Sequence, residues 1–245
     1  MPEQNIIVTG AFGGIGHACA ISLLEEGHNV TAIDIQPLPQ TITDCGERCL
    51  PLSIDVSKFS ACEDAVNQTV SKFGPVNALC HFAAIHSTKN WEDVSQEEFL
   101  RVQEVNVVGS FNIAKAVAAH MKEHNGGAIV LTSSGSVQAS GVGGGSGRGG
   151  PAYVTSKAAI YGLNRSLARS LGPHNIRVNT VSPGATETPM IAEYSNASRD
   201  AAAVRSMLGR IGEPDDIVDV AKFLISDAAR YVTGETISVS GGGSV

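Results

Sequence analysis

Tyr153 and Lys157 are the residues whose types and spacing best predict chemistry. They lie four positions apart, in Tyr-Val-Thr-Ser-Lys, so on a helix both side chains project from one face. A phenol titrates near pH ~10 and is a poor base at neutral pH. Lowering its pKa to about 7 requires roughly 4 kcal/mol, which one ammonium at ~4 Å supplies in an effective dielectric of ~20. The pair therefore predicts a tyrosine that transfers protons, provided that the rest of the chain builds a site around it.

The composition is typical of a soluble globular protein. The chain has 245 residues, 42% of them hydrophobic, and a net charge of −7, with no run of Lys or Arg that could form a basic stripe. No apolar stretch approaches the ~20 residues that span a bilayer, and the polar N-terminus does not resemble a secretory signal. The five cysteines lack CxxC spacing, which favours free thiols in a reducing cytosol. We therefore expect a cytoplasmic protein with no nucleic-acid or membrane partner.

Metal binding is not expected either. Cys45 and Cys49 have no second ligand pair at zinc-site spacing. His120 and His124 lie one helical turn apart near a helix end, without the H-E-x-x-H order of a zinc protease. A solvated helix terminus is the favoured interpretation of the two histidines.

Short apolar runs alternate with helical patterns along the whole chain, which predicts an α/β fold with a doubly wound parallel sheet and helices on both faces. The predicted strands are 5–9, 29–34, 48–54, 76–82, 128–132, 177–181 and 236–239. The predicted helices are 14–26, 58–73, 96–124, 152–171 and 215–226. Because the chain shows no internal repeat and no linker, we expect residues 1–245 to form a single domain.

A glycine-rich turn joins the first predicted strand to the first helix, in the sequence TGAFGGIG from Thr9 to Gly16. Such a turn presents free backbone N–H groups and the positive end of the helix dipole to an anion. Gly10 permits the tight turn, Gly14 allows a pyrophosphate to approach, and Gly16 allows the helix to pack on the strand. The spacing is G-x-x-x-G-x-G rather than the commoner G-x-G-x-x-G, and a plain loop is the alternative.

Asp34 ends the second predicted strand, 18 residues after Gly16, where a carboxylate hydrogen-bonds the adenosine ribose of a dinucleotide. The same charge would repel a 2′-phosphate by about 1–4 kcal/mol. Ile35 follows Asp34 and His17 follows Gly16, so neither position is followed by a Lys or Arg. The sequence therefore predicts NAD rather than NADP as the cofactor, and a solvated strand-end Asp is the alternative.

Taken together, these motifs resemble the short-chain dehydrogenase/reductase family, in its branch of chains of about this length. The resemblance runs nearly end to end and implies a Rossmann-type sheet of about seven strands. In chain order, the matching segments are Thr9–Gly16, Asp55-Val56, Asn106, Ser133-Ser134, Tyr153 with Lys157, Asn179, Pro183-Gly184 with Thr188, and Gly234 with Gly241-Gly242.

The resemblance implies a role for each matching residue. Tyr153 is the general acid/base, Lys157 lowers its pKa and holds the nicotinamide ribose, and Ser134 hydrogen-bonds the substrate oxygen. Asn106 anchors a water that relays the proton toward solvent. The residues implied in cofactor binding are Gly10, Phe12, Gly13, Gly14, Ile15, Gly16, Asp34, Asp55, Val56, Ala83, Ala84, Ile85, Tyr153, Lys157, Pro183, Gly184, Thr186 and Thr188. No metal is required, because the nicotinamide carries the hydride.

The function that this predicts is NAD(H)-dependent interconversion of a secondary alcohol or diol and a ketone, with oxidation as the favoured direction. Residues 187–208 should form a lid whose apolar lining, Met190, Ile191, Tyr194 and Met207, suits a small-to-medium, mostly apolar substrate. A 3-oxoacyl-thioester reductase is one alternative. A nucleotide-sensing protein without turnover is a weaker one, because all four catalytic residues are present. The family resemblance also implies a homo-oligomer, either a tetramer or a dimer, built on helices 96–124 and 152–171.

Two segments depart from the family pattern. His81-Phe82-Ala83-Ala84 stands where the family usually has Asn-Asn-Ala-Gly, so the local hydrogen bonding must be rearranged. The segment between Ser134 and Tyr153 holds 18 residues where the family usually has about a dozen, and we call its glycine-rich part, residues 141–150, the insertion. One hypothesis is a mobile flap in which Arg148 reaches a polar substrate group, and the favoured alternative is a tolerated insertion with a solvated Arg148.

Overall fold

Seven parallel strands form one sheet in the order β3-β2-β1-β4-β5-β6-β7. This computed structural model describes residues 3–43, 45–139, 143, 149–191 and 194–244. The strands are β1 Asn5–Thr9, β2 Asn29–Asp34, β3 Cys49–Ser53, β4 Ala78–His81, β5 Gly127–Thr132, β6 Ile176–Pro183 and β7 Thr236–Val239. The strand order reverses between β1 and β4, so the predicted doubly wound, Rossmann-type sheet is confirmed.

Helices cover both faces of this sheet. They are α1 Gly14–Glu25, α2 Gln40–Thr43, α3 Phe59–Phe73, α4 Gln96–Gln103, α5 Gly109–Glu123, α6 Pro151–Leu171, α7 Asn196–Arg205 and α8 Pro214–Ile225. The predicted continuous helix 96–124 is wrong in one respect, because a π-helical turn, Glu104–Val108, separates α4 from α5. In the described ranges no helix has the length and apolarity needed to cross a membrane.

The core consists of two apolar layers, one on each face of the sheet. Successive side chains of a strand point to opposite faces, so Ile6 and Val8 of β1 pack in the layer with α1 and α8. Ile7 packs in the other layer, with residues of α3, α5 and α6. All three side chains are fully buried. This packing holds β1 inside the sheet, and because the paired strands are parallel, their carboxyl ends lie together at one edge.

The imidazole of His81, at the end of β4, connects the sheet to α5. Its Nδ1 lies 2.7 Å from the Thr9 hydroxyl, and its Nε2 lies 2.9 Å from the Ser110 hydroxyl. The Ser110 O–H donates to the carbonyl of Asn106, so its oxygen accepts from Nε2–H. The Thr9 hydroxyl then donates to Nδ1, and its oxygen accepts the N–H of Ala83. One neutral histidine thus satisfies the hydrogen bonds of the segment that departs from the family pattern.

His81 should make the protein sensitive to acid. Burial, with a further contribution from the Lys157 cation, lowers the pKa of His81 from 6.5 to about 3. Between these pH values the unfolded chain binds a proton that the folded chain does not. As the pH is lowered through this window, the free energy of unfolding therefore decreases, by up to about 1.4 kcal/mol per pH unit. We expect urea unfolding to show a larger loss of stability from pH 7 to pH 4 in the wild type than in His81→Asn.

The exposed His174 provides the matched control for this experiment. His174→Asn makes the same exchange of side chains at the surface and should keep the acid sensitivity of the wild type. If His81→Asn loses as much stability as the wild type over the same pH range, His81 is not the group that the folded state keeps unprotonated.

Candidate active site

Two adjacent cavities open at the carboxyl ends of the strands, where the strand order reverses. We call the first the glycine cleft; it is lined by the glycine-rich turn, Asp34, Asp55, Ile85 and Lys157. The second, the tyrosine pocket, is lined by Ser134, Tyr153, His86 and residues of the predicted lid. Ile15, Thr188 and Met190 line both cavities. A ligand in the cleft and a ligand in the pocket would therefore be neighbours.

Each glycine of the turn before α1 is required for its own physical reason. Gly10 has φ +68°, and a Cβ there would lie 2.9 Å from the N atom of Ala83. A Cβ on Gly16 would lie 2.2 Å from the carbonyl oxygen of Gly10, so helix and turn could not pack as they do. Gly14 has φ +56°. The geometry at Gly10 and Gly16 agrees with the conformational and packing reasons predicted for them, while Gly14 is explained by its left-handed backbone.

Gly13 provides the space for a ligand. Its backbone is extended, with φ −161°, and a Cβ would meet no atom within 4 Å. Gly13 lines the glycine cleft, and no side chain caps the N-terminus of α1 behind it. Uncapped N–H groups facing an open space are what a phosphate requires. The turn therefore fits the pyrophosphate of a dinucleotide.

Asp34 is held at the rim of the same cleft by backbone N–H groups. Its Oδ2 accepts the N–H of Phe12 at 3.0 Å, and its Oδ1 accepts those of Ile35 and Gln36 at 2.7 and 3.0 Å. Within the described part of the chain, no Lys or Arg forms an ion pair with this carboxylate. A hydroxyl of a bound ribose would thus meet a fixed acceptor at this rim.

Arg101 also lines the glycine cleft, and sequence reasoning missed it. Its guanidinium lies 2.9 Å from a carboxylate oxygen of Glu104 and 3.7 Å from one of Asp55. Burial alone would raise the pKa of Asp55, but hydrogen bonds from Ser57 and the charge of Arg101 hold it below its usual value. The guanidinium of Arg101 therefore forms ion pairs with the carboxylates of Glu104 and Asp55.

Tyr153 and Lys157 both project from α6 into the buried junction of the two cavities. Pro151 occupies the first turn of this helix, where its missing N–H costs no hydrogen bond. Tyr153 is 7% and Lys157 is 3% exposed. The Lys157 ammonium donates to the carbonyl of Thr132 at 3.0 Å and lies 5.8 Å from the centroid of the Tyr153 ring. The predicted pair is thus on one helix face and out of contact with bulk water.

The electrostatics differ from the expectation that Lys157 lowers the pKa of Tyr153. Burial raises the pKa of Tyr153 to about 12, and a hydrogen bond with Ser134 only partly opposes this increase. Burial also lowers the pKa of Lys157 to about 8. The physical reason is that losing water disfavours both charged forms. In the protein alone, the tyrosine is therefore a protonated phenol, ready to donate a proton.

Ser134 has a partner that orients its hydroxyl. Its oxygen accepts the O–H of Ser136 at 2.8 Å and the N–H of Ser136 at 3.2 Å. With both bonds accepted, the proton of Ser134 points elsewhere, toward Tyr153 and the pocket. Ser133, in contrast, is buried and donates to the carbonyl of Lys157 at 2.8 Å. Of the two serines, Ser134 therefore lies in the pocket, together with Ser136, which the sequence pattern had not indicated.

Asn106 lies in the π-helical turn, and its side chain positions other parts of the site. Its Oδ1 accepts the N–H of Ile85 at 2.8 Å, while its Nδ2 donates to the carbonyl of Ile85 and to the hydroxyl of Ser156, both at 2.9 Å. π-Helical turns occur often at functional sites. The amide thus holds the segment after β4 against α6. Its role in a water relay stays a prediction.

Most of the other predicted binding residues line one of the two cavities. Gly10, Gly13, Gly14, Ile15, Gly16, Asp34, Asp55, Val56, Ala83, Ala84, Ile85, Lys157 and Thr188 line the glycine cleft, and Pro183, Gly184 and Thr186 line the tyrosine pocket with Ser134 and Tyr153. Phe12 is the exception. Its side chain packs against the core beside α1, and only its N–H, bonded to Asp34, faces the site.

The predicted lid supplies part of the pocket wall. Met190, Ile191 and Tyr194 line the tyrosine pocket. Met207 does not, because it lies beyond α7 and is 75% exposed. Residues 192–193 lie outside the described ranges.

Three glycines of the insertion 141–150 are described, and they pack tightly. A Cβ on Gly149 would lie 2.2 Å from the ring of Tyr153. A Cβ on Gly143 or Gly150 would approach the carbonyl oxygen of Lys89 within 2.5 Å, and the N–H of Gly150 donates to the carbonyl of Ser87. The glycines at these positions are therefore explained by close backbone packing beside Tyr153. Arg148, and with it the flap hypothesis, lies outside the described residues.

The chain is similar to known proteins over nearly its whole length. A family model described as "Enoyl-(Acyl carrier protein) reductase" matches residues 10–244. A 3alpha-hydroxysteroid dehydrogenase of Mediterraneibacter gnavus is 39% identical, covering 98% of this chain and 97% of that protein. A 3-oxoacyl-(acyl-carrier-protein) reductase of Thermotoga maritima is 33% identical, covering 96% of each chain. The crystal structure of a 3-ketoacyl-(acyl-carrier-protein) reductase from Brucella melitensis, complexed with NADH, superposes with a TM-score of 0.88 at 29% identity and covers 98% of each chain.

The chain belongs to the short-chain dehydrogenase/reductase family. It is an oxidoreductase that uses a nicotinamide cofactor and acts on a small-molecule substrate. The glycine cleft contains the residues that fit such a cofactor, and the tyrosine pocket beside it contains Ser134 and Tyr153.

Proposed function

We propose that the protein interconverts a secondary alcohol or diol and a ketone by NAD(H)-dependent hydride transfer, with Tyr153 as the general acid/base. The observation that carries this proposal is the position of the buried Tyr153 hydroxyl. It lies in the pocket with Ser134, beside a cleft whose turn has an open space for a phosphate at Gly13. Part of the pocket wall is apolar, with Ile15, Met190 and Ile191, which suits an alcohol or ketone with a hydrophobic portion.

Each residue would have a separate task. The nicotinamide, when bound, accepts or supplies the hydride. In reduction the Tyr153 phenol donates its proton to the substrate oxygen. In oxidation the phenolate removes the proton of the alcohol hydroxyl. Ser134, oriented by Ser136, hydrogen-bonds the same oxygen. Lys157 keeps a positive charge beside the phenol, which favours the phenolate once oxidation begins.

We propose NAD rather than NADP because Asp34 is fixed at the rim of the cleft with no described cation paired to it. Asp34→Asn keeps the size of the side chain and the acceptor oxygen while removing the charge. We expect the ratio of kcat/KM for NAD to that for NADP to fall at least about fivefold, since a repulsion of ~1 kcal/mol or more is lost. The measurement is steady-state kinetics with both cofactors. An unchanged ratio would show that Asp34 does not select the cofactor.

A panel of substrates tests the proposed function itself. Secondary alcohols, cyclic alcohols, hydroxysteroids and diols would be incubated with NAD, and ketones and a 3-oxoacyl thioester with NADH, while the absorbance of reduced nicotinamide is followed. The proposal expects turnover of at least one alcohol or ketone. Turnover of the thioester alone would favour the second candidate, a 3-oxoacyl-thioester reductase, which the similarity to the Thermotoga and Brucella reductases supports. No turnover would favour a nucleotide-sensing protein.

We also propose that residues 1–245 act as one domain in a cytoplasmic homo-oligomer, a dimer or a tetramer. Leu100 of α4, Val108 of the π-helical turn and Phe111 of α5 are 56%, 45% and 43% exposed. Apolar side chains along one exposed helical segment support burial against a second copy. Light scattering coupled to size-exclusion chromatography would measure the mass, and a monomer at micromolar concentration would contradict this assembly.

A further inference from the structure

His86 is a polar side chain of the tyrosine pocket to which neither the predicted roles nor the family resemblance assigns a function. It follows the segment 81–84 that departs from the family pattern, and it lines the pocket together with Ser134 and Tyr153. Its ring stands edge-to-face against the Tyr153 ring, with centroids 4.4 Å apart and an interplanar angle of 83°. The imidazole therefore lies directly beside the group that handles the substrate oxygen.

The ring nitrogens of His86 are available for a ligand. In the described parts of the chain no hydrogen bond to either nitrogen is found, although the side chain is half-buried. Burial, and secondarily the positive charge of Lys157, lowers the pKa of His86 below 6.5. At neutral pH the ring is thus uncharged, with one N–H donor and one acceptor nitrogen.

The reacting oxygen of a substrate does not need this histidine. Tyr153 supplies a proton donor or acceptor, and Ser134, oriented by Ser136, supplies a second hydrogen bond. A further neutral donor and acceptor beside Tyr153 would instead reach an oxygen on the neighbouring carbon. A bound substrate would remove water from the His86 ring, and a polar group that loses water without gaining a partner costs free energy, so the pocket favours a ligand that satisfies it.

We propose that His86 is a specificity-determining residue that hydrogen-bonds a second, neutral oxygen next to the reacting carbon. The favoured substrates are then vicinal diols and the corresponding α-hydroxy ketones rather than simple secondary alcohols. This inference rests on the proposed function, because it names the substrate class of the same site.

Two probes that differ by one hydroxyl test it: cyclohexanol and trans-cyclohexane-1,2-diol, each oxidised with NAD. We expect the wild type to prefer the diol in kcat/KM by about tenfold or more, the discrimination that one buried hydrogen bond provides. His86→Phe keeps a ring against Tyr153 but has no nitrogen. It should lose at least about tenfold more kcat/KM on the diol than on cyclohexanol, mainly through KM. His86→Gln, which restores a donor and an acceptor, should recover part of the preference.

The control variant is His174→Phe, at an exposed position far along the chain, which should leave the preference of the wild type intact. Equal losses on both probes in His86→Phe would mean that His86 only supports the Tyr153 ring, and would overturn the inference. A wild type that oxidises cyclohexanol without preferring the diol would also overturn it, while the proposed function stands. If the whole alcohol and ketone panel fails as well, both the inference and the proposed function fail.

Discussion

Replacing Tyr153 with Phe should lower kcat by about 10²–10⁴-fold, the usual contribution of a positioned general acid/base. The dissociation constant for NAD should stay within about threefold of the wild type, because the substitution removes only a hydroxyl. The ring itself remains, so its contacts with His86 and Gly149 are kept. Steady-state kinetics and a fluorescence titration with NADH would measure the two effects separately.

Tyr161→Phe is the matched control, because Tyr161 lies farther along α6 and its hydroxyl accepts a hydrogen bond from Gln138 outside the site. That variant should keep kcat within about twofold of the wild type. If Tyr153→Phe turned over substrate as fast as Tyr161→Phe, another group would be moving the proton.

Replacing Lys157 with Met should also lower kcat/KM, by about 10²-fold or more, because the phenol loses the positive charge that favours its deprotonated form. The rate of oxidation should suffer more than that of reduction. The reason is that burial already raises the pKa of Tyr153 to about 12, so forming the phenolate is the demanding step. Kinetics in both directions would measure the difference.

The same variant should not lose stability. Burial lowers the pKa of Lys157 from 10.5 to about 8 in the folded chain. The folded state therefore disfavours the cation, and burying the ammonium costs free energy at pH 7. Methionine retains the aliphatic stem without the charge. Urea unfolding at pH 7 should give a free energy of unfolding at least equal to that of the wild type. The control is Lys122→Met at an exposed position, and a parallel loss of activity and stability in Lys157→Met would indicate a structural role.

The sheet could be predicted from the sequence because local physics decides it. Apolar runs such as Ile6-Ile7-Val8, bounded by turn residues, are buried on both faces of a parallel sheet, and all seven predicted strands are present. The reasons for Gly10 and Gly16 could also be predicted, since each depends on the backbone of neighbouring segments. The interruption of the helix at Glu104–Val108 could not, because a π-helical turn depends on what Asn106 contacts at Ile85 and Ser156.

The electrostatics of the site were harder to predict than its geometry. Sequence spacing placed Lys157 on the same helix face as Tyr153, and Coulomb's law then predicted a lowered pKa. The desolvation of both groups depends on how many atoms surround them, and no spacing rule contains that information. Burial in fact shifts both groups toward their neutral forms.

Three cavity residues were not identified from the sequence, for a different reason. His86, Arg101 and Ser136 belong to no motif, and they line the cavities only because the ends of β4 and β5 and the start of the helical segment after β4 meet there. Met207 was assigned to the pocket on its apolar character, but the chain beyond α7 turns it outward. The one available signal was the presence of a histidine just after the segment that departs from the family pattern.

Transfer of deuterium tests the central claim most directly. A secondary alcohol from the panel, deuterated at its carbinol carbon, would be incubated with the enzyme and NAD, and the reduced cofactor would be analysed by mass spectrometry. Direct hydride transfer predicts one deuterium in the nicotinamide ring for each ketone formed. Reduced cofactor without deuterium, or ketone formed without any reduced cofactor, would contradict the proposed chemistry.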